Sequence, residues 1–230
     1  MNKTRAIKKG EEGENLVSLL IEKDSSFHKL INNLILLGDN NVSHQIDHIL
    51  IRNNGVFVIE TKNYYGEIKG KEDDSFWTRS YFVKRQKKVV SFHNPLKQNQ
   101  SHIRAIRKII GSNFPIYCFV VFIQNNADGI DLFNVCGPES LLKRINLITI
   151  DKEITNSQIE TIYELLLDKE AYISNEGHVN KIKEVEKDRK NYQKEARTAI
   201  EKRICPKCGQ PLLLNKNKLI CNKCGYKFNI

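Results

Sequence analysis

Residues 45–62 read Gln45-Ile46-Asp47-His48-Ile49-Leu50-Ile51-Arg52-Asn53-Asn54-Gly55-Val56-Phe57-Val58-Ile59-Glu60-Thr61-Lys62. Two apolar, β-branched runs flank Arg52-Asn53-Asn54-Gly55, a turn signal of hairpin length, so the pattern predicts two antiparallel strands. Side chains alternate faces along a strand. Glu60 and Lys62 therefore point the same way, and Asp47 shares a face with Gln45, Ile49 and Ile51. His44 and His48 fall on the other face, where a structural role is expected. Pairing across the turn sets Asp47 and Glu60 on neighbouring strands, within reach of one ion. Ionisable groups at the end of an apolar strand are costly unless something uses them.

Two carboxylates and a lysine in this arrangement form a set of hard oxygen donors, suited to Mg²⁺ or Mn²⁺. Such an ion polarises a phosphate and lowers the pKa of an attacking water. Lys62 adds positive charge for the water or for charge developing on phosphorus. The set fits phosphodiester hydrolysis better than acyl transfer. It also fits better than glycoside cleavage, which uses paired carboxylates but no adjacent lysine of this kind. The plainer reading, acids capping strand ends beside a solvated lysine, leaves the hairpin context unused.

Further blocks accompany this one in order: Gly10-Glu11-Glu12-Gly13-Glu14 before it, then Asn63-Tyr64-Tyr65-Gly66, Gly70, Trp77 and Asn94-Pro95-Leu96-Lys97-Gln98 after it. Together they resemble the NERD (nuclease-related) domain, a branch of the PD-(D/E)xK, restriction-endonuclease-like superfamily. The resemblance implies a nuclease-type core with Asp47, Glu60 and Lys62 as the catalytic set. It also implies that Glu14, on a first helix, joins the metal site, and that Gln98 lies nearby on the helix after the hairpin.

The chain has 230 residues and a formal net charge of +10. The charge is uneven. Ser75 to Ala127 holds no Asp or Glu, but nine basic residues: Arg79, Lys84, Arg85, Lys87, Lys88, Lys97, Arg104, Arg107 and Lys108. A cationic field beside a metal site suits a polyanion such as nucleic acid. The longest apolar run, Ile116 to Ile123, is too short for a membrane span and reads as a buried strand. The basic N-terminus precedes no apolar segment of signal-peptide type, so a cytoplasmic protein is expected.

The order of elements predicts an α/β fold, a mixed sheet flanked by helices, then a charged spacer helix and a small zinc ribbon; that the sheet is restriction-endonuclease-like is what the resemblance implies. A helix is expected over Glu11 to Lys23 and a first strand over Leu30 to Leu37, followed by the hairpin. A strand pair follows from Gly66 to Trp77, around a charged turn at Lys71–Asp74. Asn94-Pro95 opens a helix, with Asn as N-cap and Pro in the first turn. Its apolar face carries Leu96, Ile103, Ile106 and Ile110. A short strand at Val135-Cys136, a short helix over Glu139 to Arg144, a last strand at Leu147–Ile150 and a helix over Ser157 to Leu167 close the domain. Trp77 and the Tyr64-Tyr65 pair offer rings on which bases could stack, but core packing is the reading preferred for them. The expected boundaries are 8–172 for the NERD-like domain, 173–203 for the charged helical linker and 204–230 for the ribbon.

Cys205-Pro206-Lys207-Cys208-Gly209 is echoed by Cys221-Asn222-Lys223-Cys224-Gly225. Two Cys-x-x-Cys-Gly knuckles bring four thiolates to one tetrahedral ion, so structural Zn²⁺ is expected on Cys205, Cys208, Cys221 and Cys224. Four protein ligands leave no open position for catalysis. This segment resembles the four-Cys modules of type I topoisomerases, which implies nucleic-acid contact. Cys118 and Cys136 sit in apolar segments and read as small buried hydrophobes. The sequence thus predicts a Mg²⁺-dependent deoxyribonuclease, with DNA preferred over RNA as partner and no membrane contact. The alternatives are a non-catalytic nucleic-acid-binding protein on a nuclease-like fold, and a redox protein using the Cys pairs.

Overall fold

The structure is a computed structural model and describes residues 3–37, 43–170, 198–215, 218–225 and 227–229. Its contacts divide the chain into two compact units, residues 1–173 and 174–230.

The first unit is built on the hairpin. β2 (Ser43–Arg52) and β3 (Gly55–Lys62) pair antiparallel around Asn53-Asn54, with His48 opposite Ile59 and Ile51 opposite Val56. β1 (Lys29–Leu37) pairs antiparallel with β2. β7 (Ile116–Phe122) and the two-residue β8 (Val135–Cys136) add in parallel on the other side. The result is a five-stranded mixed sheet in the order β1-β2-β3-β7-β8, flanked by helices. β3 sits at its centre with seven of its eight residues buried, as its unbroken apolar run requires.

The sheet has two covered faces. α1 (Lys3–Glu22) and α3 (Pro138–Asn146) close one, through Val17, Ile21, Leu141 and Ile145 against Leu50, Phe57, Ile59 and Phe119. α2 (Pro95–Ile110) and α4 (Asn156–Asp168) close the other, through Ile106, Ile110, Ile159, Ile162 and Leu166 against Ile46, Ile49, Val56 and Val58. A second sheet, β4 (Glu67–Lys69), β5 (Phe76–Val83) and β6 (Gln86–His93), is inserted between β3 and α2. Trp77, fully buried, roots it by stacking on Phe122.

Three expectations need correction. β6 was not anticipated: Gln86-Lys87-Lys88 does not read as a strand, and its pairing comes from the β5 partner instead. Leu147–Ile150 is not a strand. It runs past the hairpin turn, where the Asn54 side chain donates to the carbonyls of Ile145 and Ile148, and Ile154 N–H donates to Asn53 O. Leu147 and Ile148 N–H also donate back to the Arg144 and Ile145 carbonyls, so the start of the segment is bonded without a ladder.

The third correction concerns faces. Ile46 and Ile49 lie three apart yet belong to the same core cluster, and so do Ile31 and Leu34 on β1. Asn33 has φ 56°, and the β1–β2 pairing skips Asn33 and Asp47, which lie across from one another. Both strands therefore exchange faces at the same level. His44, expected on the face away from the site, instead packs its ring 5.5 Å from that of His102 on α2. His48 has the structural role expected, bonded through Nδ1 to Asn32 Oδ1.

Among the described residues no helix is long and apolar enough to cross a membrane. The expected spacer helix lies almost wholly outside the described residues; residues 198–201 are helical. In the second unit, β9 (Leu213–Asn215), β10 (Lys218–Ile220) and β11 (Lys227–Asn229) form a small antiparallel sheet beside the cysteines.

Asn94 ties the inserted sheet to α2. Its Oδ1 accepts from Leu96 N–H at 2.9 Å, capping the helix. Its amide donates to the carbonyls of Lys71, Glu72 and Asp74. Asn94→Ala removes the cap and the bonds that this buried amide makes to the Glu72 and Asp74 carbonyls. It is expected to lower unfolding stability by about 2 kcal/mol or more, measured by urea denaturation.

Candidate metal-dependent active site

Asp47, Glu60, Lys62, Glu14 and Gln98 come from four elements and meet at the C-terminal end of β3. Glu60 is the centre, 2% exposed. Lys62 Nζ donates to its Oε1, as does Gln98 Nε2 at 2.9 Å; Lys62 also lies 3.4 Å from Gln98 Oε1. Asp47 is placed by the break in β2. The β2–β3 ladder ends at His48–Ile59, and the Asp47 carboxylate then accepts from Thr61 N–H at 2.8 Å. Glu14 reaches the group from α1.

The electrostatics are those of crowded acids. Burial raises the Asp47 carboxyl well above the usual carboxylate range, and the Glu60 charge raises it further. Burial and then Glu60 and Glu11 also raise Glu14. At Lys62 burial favours the neutral amine, but the surrounding anions, Glu60 foremost, reverse this and leave its pKa raised. One positive charge thus stands against three carboxylates.

Two buried atoms at the centre have no hydrogen-bond partner: Glu60 Oε2 and His102 Nδ1, 3.9 Å apart. A bare carboxylate oxygen beside mutually repelling acids is the environment a hard divalent cation relieves. The donor set is all oxygen, which fits Mg²⁺ or Mn²⁺. The acids are not drawn as tightly together as the cysteines: among the described residues only Cys205, Cys208, Cys221 and Cys224 form a group of potential ligands all within 4.8 Å of one another.

Residues 94–110 also hold two groups that sequence reading missed. Asn99 and His102 are buried in α2, where they share the stripe formed by Leu96, Ala105 and Ile106. Asn99 Nδ2 donates to Val58 O at 2.7 Å and Phe119 O at 3.1 Å. His102 stands one turn beyond Gln98; burial holds its pKa down to about 4, so it is neutral at pH 7. Their signal was present as polar residues interrupting an apolar helical stripe.

The four cysteines converge as the knuckle spacing requires, with Sγ–Sγ separations of 3.5 Å between Cys205 and Cys224, Cys208 and Cys221, and Cys208 and Cys224. Gly209 and Gly225 follow each second cysteine at φ 72° and 71°, a region where a side chain is strained. Backbone N–H groups of Cys224 and Lys223 help draw the Cys221 thiol down to about 6. The cluster is compatible with a bound metal ion such as zinc. Cys136 is buried and Cys118 partly buried against the apolar core, and burial raises both thiols to about 11.

A mixed α/β domain carrying a buried carboxylate–lysine cluster is the class of protein that fold and site define. The family model of the nuclease-related domain (NERD) matches residues 9–123, and the chain belongs to that family. It is 32% identical over 178 residues to an uncharacterized protein of Bacillus anthracis, an alignment covering 69% of this chain and 76% of the relative. No solved structure matches it.

Two outcomes are expected. A group whose native pKa is raised binds its proton more tightly when folded, so stability falls as pH rises from the unfolded carboxylate range through the native pKa. Asp47→Asn abolishes that loss while keeping an oxygen for Thr61 N–H. In chelator it should raise the melting temperature, more at pH 8 than at pH 5. For the cysteines, metal analysis of purified protein should return one Zn²⁺ per chain, lost in Cys221→Ser.

Proposed function

We propose that this protein is a Mg²⁺-dependent nuclease of the PD-(D/E)xK type that hydrolyses phosphodiester bonds of DNA. The observation that carries the reading is the buried Glu60 oxygen without a partner, set among Asp47, Glu14 and Lys62. Asp47 and Glu60 would hold the metal, with Glu14 assisting. When bound, the metal supplies phosphate polarisation and a more acidic water.

The remaining roles belong to the chain. Gln98 holds the Glu60 carboxylate in place from α2. The Lys62 ammonium, fixed on Glu60, orients the attacking water and faces the negative charge that grows on the phosphate oxygens. Basic residues neutralise flanking phosphates. In the division of labour we favour, residues 8–172 act as the nuclease and residues 204–230 as a Zn²⁺ ribbon that adds nucleic-acid contact. A cytoplasmic setting, where thiols stay reduced, suits that ribbon.

The ion pair between Lys62 and Glu60 favours a second reading, in which the lysine closes the site and the protein only binds nucleic acid. Calorimetric titration of Mg²⁺ separates the two: binding by wild type that is lost in Asp47→Ala supports the enzyme. The direct test incubates circular and linear DNA with Mg²⁺ or Mn²⁺. Cleavage is expected to fall about 100-fold or more in Glu60→Ala and Lys62→Ala. Wild type no more active than these variants on linear, nicked and branched DNA would refute the proposal.

A further inference from the structure

The acid-free stretch from Ser75 to Ala127 does not act as one surface. Lys97 Nζ bonds to Asp73 O, Arg107 bonds to Phe114 O, and the Arg79 guanidinium lies over the rings of Tyr64, Tyr65 and Tyr81 at 4.9–5.5 Å. Lys84, Arg85, Lys87 and Lys88 instead gather at the free end of the β5–β6 ribbon.

That end has a definite shape. β4 pairs with β5 only as far as Ser80. Three rungs extend beyond it, Tyr81–Lys88, Phe82–Lys87 and Val83–Gln86. At ~3.4 Å per residue they project ~10 Å. Lys84 and Arg85 form the turn at φ 46° and 65°. Asn-Gly is the low-strain choice for such a turn; here two long cations occupy left-handed positions instead.

The tip is also apolar. Phe82 is 72% exposed, with exposed Val89 on the same face one step nearer the base; Val83 and Val90 are exposed on the other face. No carboxylate lies between Phe76 and His93. Glu67, across from Ser80, is bonded to Lys69 and to Ser80. An exposed apolar tip ringed by four cations, with Glu67 at its base the acid that acts on Lys87, suits an occupant that offers both phosphates and apolar groups.

We propose that the β5–β6 ribbon is an arm that enters the major groove of duplex DNA, Lys84, Arg85, Lys87 and Lys88 meeting phosphates and Phe82 packing on base edges. This rests on the nuclease reading and adds the form of its substrate. A major groove about 12 Å wide and 8.5 Å deep admits a two-stranded ribbon of this length. The major groove of duplex RNA is deep and too narrow for side chains to read. The arm is fixed relative to the carboxylate cluster: β6 ends at His93, Asn94 clamps the loop before β5, and Gln98 one turn later holds Glu60.

The test uses full-length Glu60→Ala protein in chelator, so that nothing is cut, with fluorescence anisotropy on a 20-bp DNA duplex and the matching RNA duplex over a range of salt. The quadruple change Lys84→Ala, Arg85→Ala, Lys87→Ala and Lys88→Ala should weaken DNA binding at least tenfold and flatten the log–log salt dependence by about 3 to 4. Phe82→Ala should weaken binding several-fold at unchanged slope. RNA duplex should bind more weakly and respond less to both. Unchanged DNA affinity in either variant, or equal losses on RNA, overturns the arm. Cleavage by the same ribbon variants with Glu60 restored keeps the two proposals apart. Normal cutting with intact binding removes the arm and spares the nuclease. Ribbon-dependent binding by a wild type that never cuts supports the arm and removes the nuclease.

Discussion

One buried amide sets the geometry on which the candidate site depends. Asn99, with no exposure, donates through a single nitrogen to carbonyls of β3 and β7, the two parallel strands at the middle of the sheet. An apolar side chain there would let α2 slide along the sheet, because dispersion contacts are non-directional. Two hydrogen bonds to fixed carbonyls allow one depth and one rotation. Gln98 precedes Asn99 and His102 follows it by one turn, so both then lie over Glu60, two residues beyond Val58. The position of the centre is thus decided by a residue that touches neither a carboxylate nor the lysine.

Around that anchor the molecule concentrates its unfavourable charge in one place. The sheet also buries His48 and Arg52, but acids enter its strands only at Asp47 and Glu60, where α1, β2, β3 and α2 converge and Glu14 and Lys62 join them. Each acid raises the cost of ionising the next, and Lys62 offsets only part of this. The inserted sheet leaves β3 just after Lys62 and returns at Asn94, so the polypeptide that carries the cationic ribbon is continuous with the carboxylate cluster at both ends.

Much of this was legible in the residues. The hairpin followed from two apolar runs around Asn-Asn-Gly, and α2 from Asn94-Pro95 and its apolar stripe. The thiol cluster followed from two knuckles whose glycines do adopt left-handed backbone. Asp47, Glu60, Lys62, Glu14 and Gln98 do gather, although what they do is a matter for the proposals above. What escaped detection was set by tertiary contacts. β6 is a run of lysines and valines, most of it facing water, and is a strand only because β5 holds it. Leu147–Ile150 has strand composition, yet a side chain, Asn54, bonds the backbone where a neighbouring strand would. The face exchange at Asp47 left no trace in strict alternation, since its cause is one left-handed asparagine on the neighbouring strand.

That asparagine makes β1 an unseen partner of the carboxylate cluster. Because both strands turn over at the same rung, a length change at this level in one strand has to be matched in the other. One residue added beside Asn33 alone, or beside Asp47 alone, would put the two reversals out of step at the rung that carries Asp47. A β-branched residue at Asn33, where φ is positive, would press on the same rung without altering any charge. Sequence drift in the family should therefore be freer in the loop joining β1 to β2 than at the Asn33–Asp47 level, and an acid counted as intact by alignment could still be misdirected by its neighbour.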